Sequence, residues 1–130
     1  MPRGYSRERT SVHNLHYHFI WCPKYRKAVL TDDVAERFDE LVHEKADELG
    51  LEVLEVAIQP DHVHLFITGS PKLAPNKIVQ QLKGYTSHEL RDEFGSMGLP
   101  SLWTRSYFVS SAGEVSSRTI EEYIEAQVGE

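Results

Sequence analysis

Apolar and polar residues alternate over residues 13–21 (HNLHYHFIW). Leu15, Tyr17, Phe19 and Trp21 fall on one side, and Asn14, His16, His18 and Ile20 on the other. A period of two over such a run predicts a half-buried β-strand. Pro23 ends it, and a basic turn, Lys24-Tyr25-Arg26-Lys27, follows. The period then becomes helical. Ala35, Phe38, Leu41, Val42, Lys45 and Leu49 form one stripe between a cap at Thr31 or Asp32 and a stop at Gly50. Residues 52–59 (EVLEVAIQ) predict a second strand with Leu54, Val56 and Ile58 on one face, and residues 62–68 (HVHLFIT) a third. The Pro60-Asp61 turn makes these two a hairpin. Asn76 is expected to cap a second helix over 76–94, with Ile78, Val79, Leu82, Tyr85 and Leu90 inward. Residues 102–110 (LWTRSYFVS) predict a fourth strand. After a small-residue segment (Ser110-Ser111-Ala112-Gly113), Ser116 or Ser117 is expected to cap a last helix from Arg118 to Val128.

The first six elements follow a β-α-β-β-α-β order, the ferredoxin-like plan. The expected class is α+β: an RRM-like antiparallel sheet with helices on one face, plus a C-terminal helix. The other face of the sheet is expected to be free, and so available as a working surface. A chain of 130 residues fits a single domain spanning 1–130. The fold plan by itself names no function.

Charge changes this picture only through its distribution. The net charge of −6 is unfavourable for contact with nucleic acid. Yet residues 32–55 hold ten acids and two bases, leaving ten acids and twelve bases elsewhere. The excess therefore belongs to the region of the first helix, as a solvated acidic face or an adaptation to high salt. The single cysteine, Cys22, excludes an internal disulfide and reads as a buried small apolar residue. Residues 1–10 carry no apolar run of the signal-peptide kind, and no membrane span is expected. These features point to a cytoplasmic protein. No G-x-x-x-x-G-K phosphate loop is present, so no nucleotide cofactor is expected.

Two pairs of residues carry candidate chemistry. His62 and His64 lie two apart on the third strand, so both imidazoles project from the face opposite Val63, Leu65 and Ile67. Two imidazoles on a rigid strand after a turn can share a divalent cation. A histidine pair on a strand is also a common plain surface feature. On the last helix, Ile120, Ile124 and Val128 form a buried stripe, and Tyr123 and Gln127, four apart, form a parallel one beside it. A phenol and a carboxamide can thus reach one point together. Taken alone, the pair also fits a half-buried tyrosine beside the core. His16 and His18 share a face and read as packing residues, with support of a metal site behind its ligands as the alternative.

Together the two signals resemble the HUH single-tyrosine transposases, the IS200-like, TnpA-type enzymes of insertion sequences. The likeness runs from Asn14 to Gln127. It includes His62-Val63-His64 as the histidine–hydrophobic–histidine motif and the segment Trp21-Cys22-Pro23-Lys24-Tyr25-Arg26. It also includes residues 81–87 (QLKGYTS), Leu102-Trp103 through Tyr107-Phe108-Val109, and Tyr123-Ile124-Glu125-Ala126-Gln127. The resemblance implies that His62, His64 and Gln127 bind a divalent metal, Mg²⁺ or Mn²⁺, and that Tyr123 is the nucleophile. It further implies cleavage and rejoining of single-stranded DNA through a 5′-phosphotyrosine, at element ends folded as hairpins, by a homodimer.

The chemistry is consistent with that reading. A phenol has a pKa of ~10 and is a weak nucleophile near neutrality. A cation on the phosphate compensates by polarising phosphorus. The phosphotyrosine keeps the energy of the phosphodiester, so rejoining requires no ATP. Lys24, Arg26, Lys83 and Arg105 are candidate DNA-backbone contacts, each with a plain solvated charge as the alternative. Tyr25 and Tyr85 are candidate base-stacking residues, Tyr85 equally a core residue. Two other readings stand beside the transposase. One is a related nickase or a domesticated relative. The other is a non-catalytic ferredoxin-like nucleic-acid binder, which should show aromatics at the centre of its open face. The third strand instead offers His62, His64, Phe66 and Thr68 there.

Overall fold

The computed structural model describes residues 6–8, 11–13, 15–111 and 117–127. Two short strands, β1 (Ser6–Glu8) and β2 (Ser11–His13), pair with each other. The main sheet contains β3 (His16–Trp21), β4 (Val53–Gln59), β5 (His62–Thr68) and β6 (Phe108–Ser110), in the spatial order β4-β5-β3-β6. All its pairings are antiparallel. Helices α1 (Asp32–Glu48) and α2 (Pro75–Phe94) cover one face, and α3 (Ser117–Ala126) follows β6. The α+β plan with helices on one face is therefore the observed one.

The core lies between the sheet and the first two helices. Phe19, Trp21, Val63, Leu65 and Ile67 from the strands meet Phe38, Leu41 and Val42 of α1 and Ile78, Val79, Leu82 and Leu90 of α2. Trp21, Phe38 and Trp103 pack edge to face, with ring centroids 5.5–6.2 Å apart. The Trp103 indole N–H donates to the Lys83 carbonyl and to Thr86 Oγ1, both at 3.1 Å, so its burial leaves no unsatisfied donor.

Several elements differ from their sequence-based expectations. The alternation over 13–21 is divided: Ser11–His13 pairs with β1, and only His16–Trp21 enters the main sheet. On β4 a register shift between Val53 and Glu55 removes Leu54 from the expected face, and Val53 joins Val56 and Ile58 against the core. Such a bulge reverses the side-chain alternation at one residue. Helix α2 begins at Pro75, with Ala74 as its cap in place of Asn76. Proline suits the first helical turn, where an N–H would have no partner. Its buried face includes Thr86, while Tyr85 is half-buried and donates its hydroxyl to Glu44 at 2.8 Å.

The fourth strand is shorter than 102–110. Trp103 bridges Pro23, and Phe108 pairs with Ile20. Between these points one chain advances five residues (103 to 108) and the other three (23 to 20), so the ladder cannot continue. The Lys83 ammonium fills the gap by donating to the carbonyls of Thr104 (2.7 Å) and Ser106 (3.1 Å). Of the last-helix expectations, Ser116 and Val128 lie outside the described residues.

The far face of the sheet is not wholly free, as had been expected. Ile20 points there, away from the core, yet is fully buried. Its cross-strand neighbour Phe108 shares that face and meets the Tyr123 ring of α3 at 6.4 Å. Ile124 of α3 is also buried. Helix α3 therefore lies over the β6 side of this face, and the β5 side carries the histidines.

Candidate active site

Strand β5 divides cleanly. Val63, Leu65 and Ile67 are fully buried on the helix side, and His62, His64, Phe66 and Thr68 are half-buried on the other. The period of the strand thus places both imidazoles on one side, their ring centroids 5.4 Å apart. A third imidazole, His18 on β3, stands 5.8 Å from His64 and 5.5 Å from Phe66. His16 also meets Phe66, at 5.5 Å. His16 and His18 are packing neighbours in this cluster, as their shared face suggests.

Burial, and secondarily the nearby His62 and His18, pushes the His64 pKa below its ordinary value. The neutral imidazole, the form that ligates metals, is thereby favoured near neutrality. His62 has a fixed neighbour: its Nδ1 lies 2.8 Å from Asp61 Oδ1, and Arg26 Nε donates to Asp61 Oδ2 at 2.8 Å. Burial alone would raise the Asp61 carboxyl. The hydrogen bond and charge of His62, with Arg26, outweigh it and hold the carboxyl below the usual carboxylate range.

Helix α3 and the residue after it carry the other two candidates, and Tyr123 lies over the face that bears the histidines. The Tyr123 hydroxyl is screened from solvent, and the ring packs on Phe108. Gln127 is 4% exposed, and its Oε1 accepts the Ser106 hydroxyl at 2.6 Å. The sheet register connects these groups. Phe108 lies beside Ile20, and Ile20 beside His64. Two strand spacings of about 4.8 Å make roughly 10 Å between the Phe108 and His64 backbones. Tyr123 thus stands at one end of a row whose other end is His64.

The donor set suits a divalent cation that prefers mixed ligands. His62 and His64 could supply nitrogen, and the buried Gln127 carboxamide could supply a neutral oxygen. Among the described residues no three His, Cys, Asp or Glu side chains are arranged so that they alone could hold a metal ion.

The four candidate DNA contacts separate. Arg26 is bound to Asp61, and Lys83 is engaged with backbone carbonyls. Lys24 lies 5.6 Å from the Tyr25 ring, itself 53% exposed, and Arg105 is exposed. Sequence reasoning passed over Ser106, which no pattern marks, and read Asp61 only as a turn residue.

The family model described as "Transposase IS200 like" matches residues 11–127. The chain is 33% identical to the ISDra2 transposase TnpA of Deinococcus radiodurans, over 98% of this chain and 94% of that protein. It is 26% identical to the transposase for insertion sequence element IS200 of Salmonella typhimurium, over 90% of this chain and 79% of that one. A crystal structure of a transposase from Deinococcus radiodurans superposes with a TM-score of 0.87 at 33% identity, covering 94% of this chain and 97% of that one. A REP-associated tyrosine transposase, solved with a REP hairpin, shares the fold at a TM-score of 0.59 and 12% identity, over 92% of this chain and 68% of that one.

Proposed function

Since this chain belongs to the IS200-like transposase family, we propose that it cuts and rejoins single-stranded DNA through a 5′-phosphotyrosine on Tyr123, with a divalent metal held by His62, His64 and Gln127. The observation that carries this reading is the row from Tyr123 through Phe108 and Ile20 to His64. It sets a phenol and two imidazoles on one face of one sheet.

When bound, Mg²⁺ or Mn²⁺ supplies positive charge to the phosphate and stabilises charge in the transition state. The chain's own residues do the rest. Helix α3 delivers the Tyr123 oxygen, and the sheet beneath it excludes water from that side. The Tyr123 oxygen forms a bond to phosphorus as the bond from phosphorus to the 3′ oxygen breaks. The phenolic proton is lost, and a proton ends on the departing 3′ oxygen. Rejoining is the reverse: another 3′ hydroxyl attacks the phosphotyrosine, and Tyr123 regains its proton. No external energy source enters, since one phosphodiester is exchanged for another.

Family membership extends the proposal to hairpin-folded element ends as substrate and to a homodimer as the working form. Lys24 and Arg105, the two candidate cations not engaged in the hydrogen bonds described above, are proposed to contact the DNA backbone. Among the described residues no helix is long and apolar enough to cross a membrane.

The test is incubation with end-labelled single-stranded DNA carrying an element end, with Mn²⁺. The expected product is a denaturant-resistant protein–DNA adduct that Tyr123→Phe abolishes while DNA binding persists. An adduct that survives in Tyr123→Phe places the nucleophile elsewhere. Retarded bands without an adduct under any metal condition leave a binding protein only.

A further inference from the structure

Tyr25 and Arg26 both hold left-handed backbone, with φ of 58° and 53°, in the turn Lys24–Arg26. Residues with a Cβ avoid that region, and two in succession persist only where their surroundings fix them. Backbone bonds do part of this: Arg26 N–H donates to the Pro23 carbonyl at 2.8 Å, and Leu30 N–H to the Pro60 carbonyl at 3.0 Å. The turn directs the Arg26 guanidinium at Asp61, 35 residues away in the β4–β5 turn. One oxygen of that carboxylate takes the Arg26 hydrogen bond and the other faces His62 Nδ1, each at 2.8 Å.

The consequence is chemical. An ionised carboxylate only accepts hydrogen bonds, so the ring nitrogen facing it must carry the proton. A neutral imidazole has one N–H and one lone pair, and fixing the first fixes the second. We propose that Asp61, tethered by Arg26, is a positioning residue that holds the His62 proton on Nδ1 and leaves Nε2 as the nitrogen able to ligate a cation. This inference rests on the metal site proposed above. It gives the strained turn a purpose: the turn orients Asp61, which orients His62.

The proton's place can be read in metal-free protein by long-range ¹H–¹⁵N spectra, with His62 assigned through His62→Gln. In the wild type the proton is expected on Nδ1. The isosteric Asp61→Asn gives the sharper outcome. Arg26 can only donate, so it takes the amide oxygen and turns the amide NH₂ toward His62 Nδ1. The His62 proton is then expected on Nε2, and Mn²⁺ affinity to fall about ten- to a hundredfold. Adding Arg26→Ala to Asp61→Asn lets the amide reverse, returning the proton to Nδ1 and restoring part of the affinity. A residue with a merely structural role would not move the tautomer and then restore it.

A wild-type proton on Nε2, or one that stays on Nδ1 in Asp61→Asn, overturns the proposal. Should Asp61→Asn fail to fold, the wild-type spectrum still decides. Failure of the wild type to bind Mn²⁺ overturns the metal reading instead, and the spectra then judge the hold of Asp61 on the proton by themselves.

Discussion

Ser106 Oγ donates its hydrogen to Gln127 Oε1 at 2.6 Å, and the Ser106 carbonyl in turn accepts from the Lys83 ammonium at 3.1 Å. A chain of contacts therefore runs from α2 through the interrupted strand to the end of α3. The position of the carboxamide is thereby tied to Lys83 of α2 through Ser106. A carbonyl oxygen has two lone pairs, so the serine hydrogen bond and a cation are compatible on Oε1.

Ser106→Ala is expected to loosen α3 without disturbing the main core. Removing the donor takes one hydrogen bond from the buried Gln127 oxygen, at a cost of about 1 kcal/mol. Hydrogen exchange over residues 121–127 should then quicken about fivefold, with the amides of Phe19 and Leu65 unchanged. Equal exchange in the two proteins would mean that the hydrogen bond does not hold the helix.

Ile20 supplies a second measure of α3 docking. It is fully buried although it faces away from the main core. Ile20→Ala should cost about 2–5 kcal/mol, the usual range for a buried isoleucine. It should also expose the Tyr123 hydroxyl, read as increased quenching of tyrosine fluorescence that is absent when Ile20→Ala is made in a Tyr123→Phe background. A loss below about 0.5 kcal/mol, the lower bound for Ile→Val, would show that this side of the sheet is loosely covered.

The shift of His64 makes a pH prediction. Burial and the neighbouring imidazoles favour its neutral form in the folded protein, so its NMR titration should lie below the ordinary midpoint of about 6.5. The sign follows from linkage. Between the unfolded and folded pKa values the unfolded chain binds more protons, so stability falls as pH drops through that window. His64→Gln should flatten that part of the stability curve, and a His64 midpoint at or above 6.5 would contradict the burial argument.

Much of this arrangement was legible in the sequence because it is periodic. The period of two on β5 set His62 and His64 opposite Val63, Leu65 and Ile67, and the helical stripe of the last element put Ile124 among the buried residues. Features that break a period were not legible. The bulge at Leu54 and the two extra residues between Trp103 and Phe108 arise from pairing with other strands. The partners of Arg26 and Lys83 lie 35 and 21 residues away, so their spacing along the chain held no sign of Asp61 or Thr104. Ser106 is one small polar residue among several, and only the fold distinguishes it.

The divided roles of the cations lead to the last prediction. A side chain that neutralises a DNA phosphate contributes roughly 0.7 to the slope of log affinity against log salt for single strands. Lys24 and Arg105 should behave this way: in Lys24→Gln and Arg105→Gln the slope should drop by about that amount, with little change in thermal stability. Lys83 should behave oppositely. Its ammonium caps the carbonyls of Thr104 and Ser106 and lies 5.8 Å from the Tyr107 ring. Lys83→Gln should thus leave the slope nearly unchanged but cost about 1–3 kcal/mol of stability, with α3 loosened through Ser106. Salt titrations of DNA binding and urea unfolding on the same three variants separate the two behaviours. A Lys83 variant that folds as well as the wild type but loses about 0.7 of salt slope would return that lysine to the DNA surface and remove it from the path that positions Gln127.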